Sequence, residues 1–348
     1  MIELGISTFG ETTEIEGTGV APKHDQRIRD IIEEMKLADE VGLDVYAIGE
    51  HHREDFAVSA PEILLAAGAS VTKNIRLSSA VTVLSSADPV RVYQQYATID
   101  AISNGRSEVM VGRGSFTESF PLFGYDLADY EELFDEKLEM LDKIKNNEKL
   151  TWEGKHTQSI LDKGVYPRAI QENFPIWVAT GGNVESTVKI AQKGFPIAYA
   201  IIGGEYRRFK GLVDYYKAVG RNAGYSDDKL KVASHSWGFI ADTDEEAIKK
   251  YFHPTKQVVD AISKDRPFWC PLTFEQYLNS VGPEGSMLVG SPETVANKLI
   301  DMIETLDLDR FLLHLPLGSM PHEDIMKAIK LFGEEVAPRV RAHFNKSK

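Results

Sequence analysis

The chain has 348 residues, of which 43% are apolar, enough to fill one large α/β domain and its outer helical layer. Its 39 basic side chains against 53 acidic ones give a formal charge of -14, which disfavours nucleic acid or an anionic membrane surface as a general partner. The single cysteine, Cys270, excludes an intramolecular disulfide and a thiolate metal cluster, and it reads as a small apolar filler. Residues 2–7 read as a first strand. They lack the basic start and cleavage site of a secretory signal, and no run approaches the roughly 20 apolar residues of a membrane span, so a cytoplasmic location is expected.

A long loop then leads to a helix over 25–41, where Ile28, Ile31, Ile32, Met35, Leu37 and Ala38 recur at helical spacing. A strand at 45–48 and a helix at 61–71, with Pro61 suited to its first turn, follow. The same alternation continues through strands at 75–84, 108–111, 175–179, 197–201, 231–241 and 310–315. The helices fall at 89–102, 130–146, 184–193, 206–219, 292–303 and 323–335. Residues 150–173 form a hairpin excursion before strand five. Residues 249–285, with Phe268, Trp269, Phe274 and Tyr277, are long enough for a helical lid after strand seven. Eight strands in this order, with no G-x-G-x-x-G after the first, predict a single (β/α)8 TIM barrel over 1–348 and not a Rossmann sheet.

Function in such a barrel collects where strands end and their following loops converge. Glu50-His51-His52 falls directly after the second strand. Adjacent histidines are often solvated loop residues, but this position points them into the mouth, where imidazole can exchange a proton at neutral pH. A zinc site is the weaker reading, because neighbouring side chains diverge and no third ligand stands at metal spacing. The run from Ser78 to Arg91 ends its strand in small residues that leave room for a flat ligand. Composition alone favours a tight turn with Asp88 as helix cap. Arg113, between Gly112 and Gly114 after strand four, suits a bidentate grip on phosphate or, equally, a surface ion pair. Arg106 precedes that strand and belongs to the structural end. Thr180-Gly181-Gly182-Asn183 opens a helix whose first N–H groups suit an anion, and Gly203-Gly204 marks a second turn on the same rim. Either glycine pair alone means only a turn; with Arg113 they point to a phosphate-bearing cofactor.

Taken in order, Gly49-Glu50-His51-His52, the segment 79–91, Ile102-Ser103-Asn104-Gly105-Arg106, Gly112-Arg113-Gly114, the segment 179–186 and Gly290-Ser291-Pro292-Glu293-Thr294 resemble the luciferase-like monooxygenase family over nearly the whole chain. The resemblance implies FMN at the barrel mouth, a homodimer, and a non-proline cis peptide at Ala80–Val81. It implies a flavin-binding set of Ala80, Val81, Thr82, Arg113, Gly181, Gly182, Glu185, Ser186 and Thr187. It also implies Glu50 and His51 beside the isoalloxazine, with His51 as proton donor or base and His52 turned away to pack. Two departures stand out. Gly112 occupies the position of the luciferases' reactive cysteine, so light emission is not expected, and the match at 185–187 needs a short gap. His235 reads as a buried structural histidine that could face the pocket. His314 and the loop 315–320 could line an apolar substrate cavity.

The expected activity is an FMN-dependent monooxygenase that takes reduced flavin from a separate NAD(P)H reductase and uses O2 on a small apolar organic substrate. The rivals are a deazaflavin-dependent hydride-transfer reductase of the same superfamily and a non-catalytic flavin-binding protein. A sugar-phosphate barrel enzyme, which would lack a planar flavin site, is a fold-only alternative.

Overall fold

The computed structural model describes residues 2–114, 116–265 and 269–346. Strands β1 (Glu3–Thr8) and β2 (Val45–Ile48) flank helix α1 (His24–Glu40), and α2 (Pro61–Val71) leads to β3 (Arg76–Ser79) and β4 (Thr82–Val83). Then come α3 (Pro89–Ser103), β5 (Val109–Gly112), α4 (Ser119–Phe123) and α5 (Tyr130–Asn146). The antiparallel pair β6 (Lys149–Trp152) and β7 (Ile160–Gly164) precedes β8 (Ile176–Thr180), α6 (Val184–Gln192), β9 (Ile197–Ala200) and α7 (Lys210–Asn222). The chain continues through β10 (Val232–Ile240), α8 (Asp244–Asp265), α9 (Phe274–Val281) and β11 (Leu288–Gly290). It ends with α10 (Pro292–Leu306), β12 (Arg310–His314), α11 (His322–Leu331) and α12 (Ala337–Lys346).

The strands run parallel in the order β3-β2-β1-β12-β10-β9-β8-β5-β4. Because β3 and β4 are successive parts of one barrel strand, both ends of that path belong to the same segment. The Leu77–Ser107 bridge and the Glu108 N–H donating to the Leu77 carbonyl at 3.0 Å close the ring beside β5. Among the described residues this makes eight barrel strands, in the predicted (β/α)8 order. The expected third strand is interrupted at its centre: the Ala80–Val81 peptide is cis, and pairing resumes only at Thr82.

Most of the core lies between sheet and helices, where Ile31, Met35, Leu65, Tyr96 and Leu299 are fully enclosed. A smaller cluster, including Val45, Ala47, Met110, Trp177, Ala233 and Leu312, fills the barrel itself. Its floor is a buried ion cluster. Arg310, 2% exposed, donates to Glu3 at 2.8 Å and pairs with Glu108, with its guanidinium 4.4 Å over the Trp177 ring. Burial alone would depress this guanidinium's pKa, but the Glu108 and Glu3 carboxylates outweigh it and raise it. Arg106 sits at the same end as expected, its guanidinium donating to the carbonyls of Ser103, Ile75, Ala69 and Thr72.

Three expectations change. A short strand, β11, pairs in parallel with the end of β10 just before α10; three residues, the last a glycine, give no readable period. Helix α8 begins at Asp244 and runs regularly past Pro254 before the α9 turn. Phe268 lies outside the described residues. Cys270 is exposed and is not a core filler.

Candidate active site

At the C-terminal ends of the strands a cavity of about 250 Å³ opens between the βα loops. Phe9, Phe56, Phe116 and Trp237 supply aromatic walls, and Val81, Met110, Ile202 and Leu317 aliphatic ones. Val258 and Ile262 of α8 reach its rim. Glu11, Glu50, His51, Arg113 and His235 bring the charge and proton chemistry. A wider depression of about 510 Å³ lies outside the barrel, between α5 and β6, lined by Glu136, Glu139, Lys143 and Lys155. It is off the strand ends and walled by solvated charges, so the chemistry is read from the mouth.

Glu50 and His51 enter from the end of β2. The Glu50 carboxylate is held at both oxygens: Oε2 accepts from the Val83 N–H at 2.9 Å, and Oε1 lies 2.7 Å from His52 Nε2. His52 therefore does not merely pack; it partners Glu50, with its ring edge-on to Phe123. His51, 8% exposed, is boxed by Phe9 at 4.7 Å, Phe56 at 4.4 Å and Phe116 at 5.1 Å. Its backbone N–H donates to the Val58 carbonyl at 2.9 Å, which fixes the loop.

Ala80 and Val81 line the cavity beside this pair. Val81 leans on Gly112, where a Cβ would lie 2.8 Å from a Val81 methyl, so a larger residue there would push the wall inward. Thr82 turns the other way, as strand alternation requires, and its hydroxyl meets the Tyr96 hydroxyl at 2.9 Å. A side-chain contact from Thr82 to a ligand in the mouth is therefore corrected.

Arg113 follows β5 and reaches across to the start of α6. It donates to Ser186 Oγ at 2.8 Å, pairs with Glu131, and lies 5.6 Å over the Tyr130 ring. Gly181 is exposed with open space where a Cβ would be, and Gly182 has φ +98°, so this turn favours glycine. Asn183 caps α6 by accepting the Ser186 N–H at 3.0 Å, which leaves the earlier first-turn N–H groups facing the rim. The other two expected members are placed elsewhere. Glu185 is exposed and pairs with Lys189 at 3.3 Å along the helix. Thr187 is fully buried, with its hydroxyl donating to the Asn183 carbonyl at 2.9 Å and meeting Tyr199 at 3.2 Å.

The opposite wall is built from β1, β10 and β12. The His314 ring, fully buried, lies 2.8 Å from Glu11 Oε1 through Nε2 and 3.3 Å from Ser7 Oγ through Nδ1. Thr8 donates to Glu11 Oε2 at 3.3 Å and itself accepts from Arg27 at 3.2 Å. Arg27 is paired with Glu34 at 2.5 Å. His314 thus stands behind Phe9 instead of lining the cavity, while His235 does line it, 5.0 Å from the His314 ring. Burial first, and His314 second, hold the His235 pKa well below the ordinary histidine range, which favours the neutral ring. Glu11, Phe9 and Glu131 were not anticipated. Glu11 follows β1 on the same rim as Glu50 follows β2, and that equivalence was the available signal.

The donor set fits a flat cofactor with a phosphate tail. The Arg113 guanidinium stands at one end of the cavity and reaches the Ser186 hydroxyl at the start of α6 just beyond it, and the Val81–Gly112 wall beside Glu50 is tightly packed. Fold and site together describe a (β/α)8 barrel with a charged, aromatic-walled cavity at the C-terminal ends of its strands. Residues 2–308 match the sequence pattern of the luciferase-like monooxygenases, and the chain belongs to that family. It is 27% identical over 299 residues to the N-acetyl-S-alkylcysteine monooxygenase of Bacillus subtilis, covering 81% of this chain and 85% of that one. Among solved structures it is similar to the monooxygenase RslO1 of Streptomyces bottropensis, with TM-score 0.84, 21% identity and coverage of 97% and 99%. It is similar to the oxygenating constituent of 3,6-diketocamphane monooxygenase from Pseudomonas putida in complex with FMN, at TM-score 0.73, 21% identity and coverage of 98% and 99%. The coenzyme F420-dependent tetrahydromethanopterin reductase of Methanopyrus kandleri also has TM-score 0.73, at 19% identity and coverage of 97% and 99%. Among the described residues no helix is long and apolar enough to cross a membrane.

Proposed function

We propose that this protein is an FMN-dependent monooxygenase acting on paired donors, with reduced flavin from a separate NAD(P)H reductase, O2, and a small apolar organic substrate. The observation that carries the reading is one cavity lined by Glu50 and His51 on one side and by Arg113 on the other, with the Arg113 guanidinium reaching on to Ser186 beyond its edge. Bound FMN in its reduced form would supply two electrons and the site of O2 activation. Arg113, Ser186 and the first-turn N–H groups of α6 would hold its phosphate, with Ala80, Val81, Gly181 and Gly182 allowing close approach. His51, in its aromatic box, is the group that gives or takes a proton, while Glu50 fixes the wall beside it. The apolar lining excludes water, and the α8 side chains at the rim support reading 249–285 as a lid. A homodimer is part of this reading, supported by Ile63 of α2 and Ile102 of α3, which are 63% and 50% exposed.

The test is titration of the protein with FMN and with a deazaflavin by fluorescence, followed by product analysis with a reductase and a panel of sulfides, ketones and aldehydes. Oxygen should appear in a product, and His51→Ala should slow its formation about 100-fold with FMN affinity unchanged. Product formation at the same rate in His51→Ala would remove the role given to His51. Tight deazaflavin binding with no FMN binding would favour the hydride-transfer rival instead. Tight FMN binding without turnover would favour a flavin-binding protein.

A further inference from the structure

His235 lines the cavity from β10, opposite Glu50 and His51, and its Nε2 has no hydrogen-bond partner among the described residues. A buried imidazole nitrogen without a partner carries a desolvation cost that an aliphatic or aromatic side chain would avoid. The surroundings would accept such a replacement: Phe9 stacks on the ring at 6.0 Å, and Trp237 and Leu312 line the same space. Ser234 and Ser236 also have unpartnered hydroxyls, but strand alternation turns them to the outer face of β10. His235 alone of the three meets the cavity. Behind it, the Glu11–His314 pair is anchored through Thr8 to Arg27, which fixes the packing against its ring.

We propose that His235 is the hydrogen-bonding anchor for an uncharged oxygen on the substrate, a ketone, aldehyde, ester or hydroxyl group of an otherwise apolar molecule. The proposal rests on reading this cavity as the substrate site. An anionic substrate is disfavoured because Glu11 and Glu50 line the same space, while Arg113 is the group read as holding the cofactor phosphate. A neutral imidazole has one N–H and one lone pair, so it donates to a carbonyl in one tautomer and accepts from a hydroxyl in the other.

The experiment uses two probes of one shape, cyclohexanone and methylenecyclohexane, titrated into the full chain by ligand-observed NMR. Replacing His235 with Phe should lower the ketone-to-hydrocarbon affinity ratio about fivefold, the value of one neutral hydrogen bond. Hydrocarbon binding should be unchanged. His235→Gln, which keeps a donor and an acceptor, should restore most of that ratio, and circular dichroism should show both variants folded. An unchanged ratio in folded His235→Phe overturns the proposal, as does the absence of saturable ketone binding to the unaltered protein. FMN titration of the same samples separates the two readings. Lost FMN binding with an intact ketone ratio counts against the proposed function alone, and the reverse counts against His235 alone.

Discussion

The two ends of this barrel each hold an arginine, and they use it differently. At the floor, Arg310 is enclosed, paired with both Glu3 and Glu108, and laid over Trp177. At the mouth, Arg113 keeps 20% of its side chain exposed and is held by a solvated carboxylate and one hydroxyl. The floor is finished without any ligand. The mouth is bonded loosely enough that an incoming anion can replace its present partners. The same residue type is thus locked beside the buried Glu108 at the floor and set among partly exposed partners at the mouth, where the proposed function gives it a ligand to hold.

The largest effect should come from breaking the floor. Arg310→Leu leaves the buried Glu108 with only Arg76, 3.5 Å away and partly exposed, and should cost about 3 kcal/mol in denaturant unfolding. The companion change Glu108→Leu should recover much of that loss. An Arg310→Leu variant as stable as the parent would erase the distinction between the two ends. Arg113→Ala, by contrast, should weaken FMN binding about 30-fold by removing charge-assisted hydrogen bonds, with the melting midpoint held within about 2 °C. A large loss of stability there, with flavin affinity intact, would reverse the assignment. A smaller effect tests exchangeability itself: Glu131→Gln removes a competing carboxylate and should tighten FMN binding about threefold. Weaker binding would mean that Glu131 orients Arg113 and does not compete for it.

The smallest effect concerns pH. The mouth's outer side carries a histidine whose charge depends on its neighbours. His322, at the start of α11, faces Glu34 at 3.6 Å and Glu33 at 3.2 Å. Glu34 first, against opposing burial, raises its pKa above the usual histidine value. A raised folded pKa gives stability that is complete below the unfolded value near 6.5 and is lost as pH climbs through the folded one. His322→Gln should therefore lower the melting midpoint at pH 6 by on the order of 1 °C, given its partial exposure, and leave it unchanged at pH 9. A deficit that grows with pH would contradict this.

How much of this was legible varies by wall. The β/α rhythm gave the barrel because each strand is a short apolar run and each helix has its own period. Glu50-His51 and Arg113 stood out because each lies within one short stretch at a strand end. The Glu11–His314 pair joins residues 303 positions apart, and neither residue sits in a pattern of its own. Glu131 looked like one more acidic residue in the first turn of α5, where helix-start electrostatics already explain it. Thr82 and Thr187 were assigned to the site by position in a motif. Side-chain direction, which alternation and helix phase decide, sent both hydroxyls inward to Tyr96 and Tyr199.

The exposed Cys270 has a practical consequence. With glycine at 112 the cavity wall carries a thioether at Met110 but no thiol, and the chain's one thiol, Cys270, is exposed. A maleimide dye will therefore label the unaltered protein at a single address, outside the mouth and next to the segment read as a lid. If the proposed function holds, energy transfer between that dye and bound FMN would test whether this segment moves when substrate enters, with no engineered cysteine required.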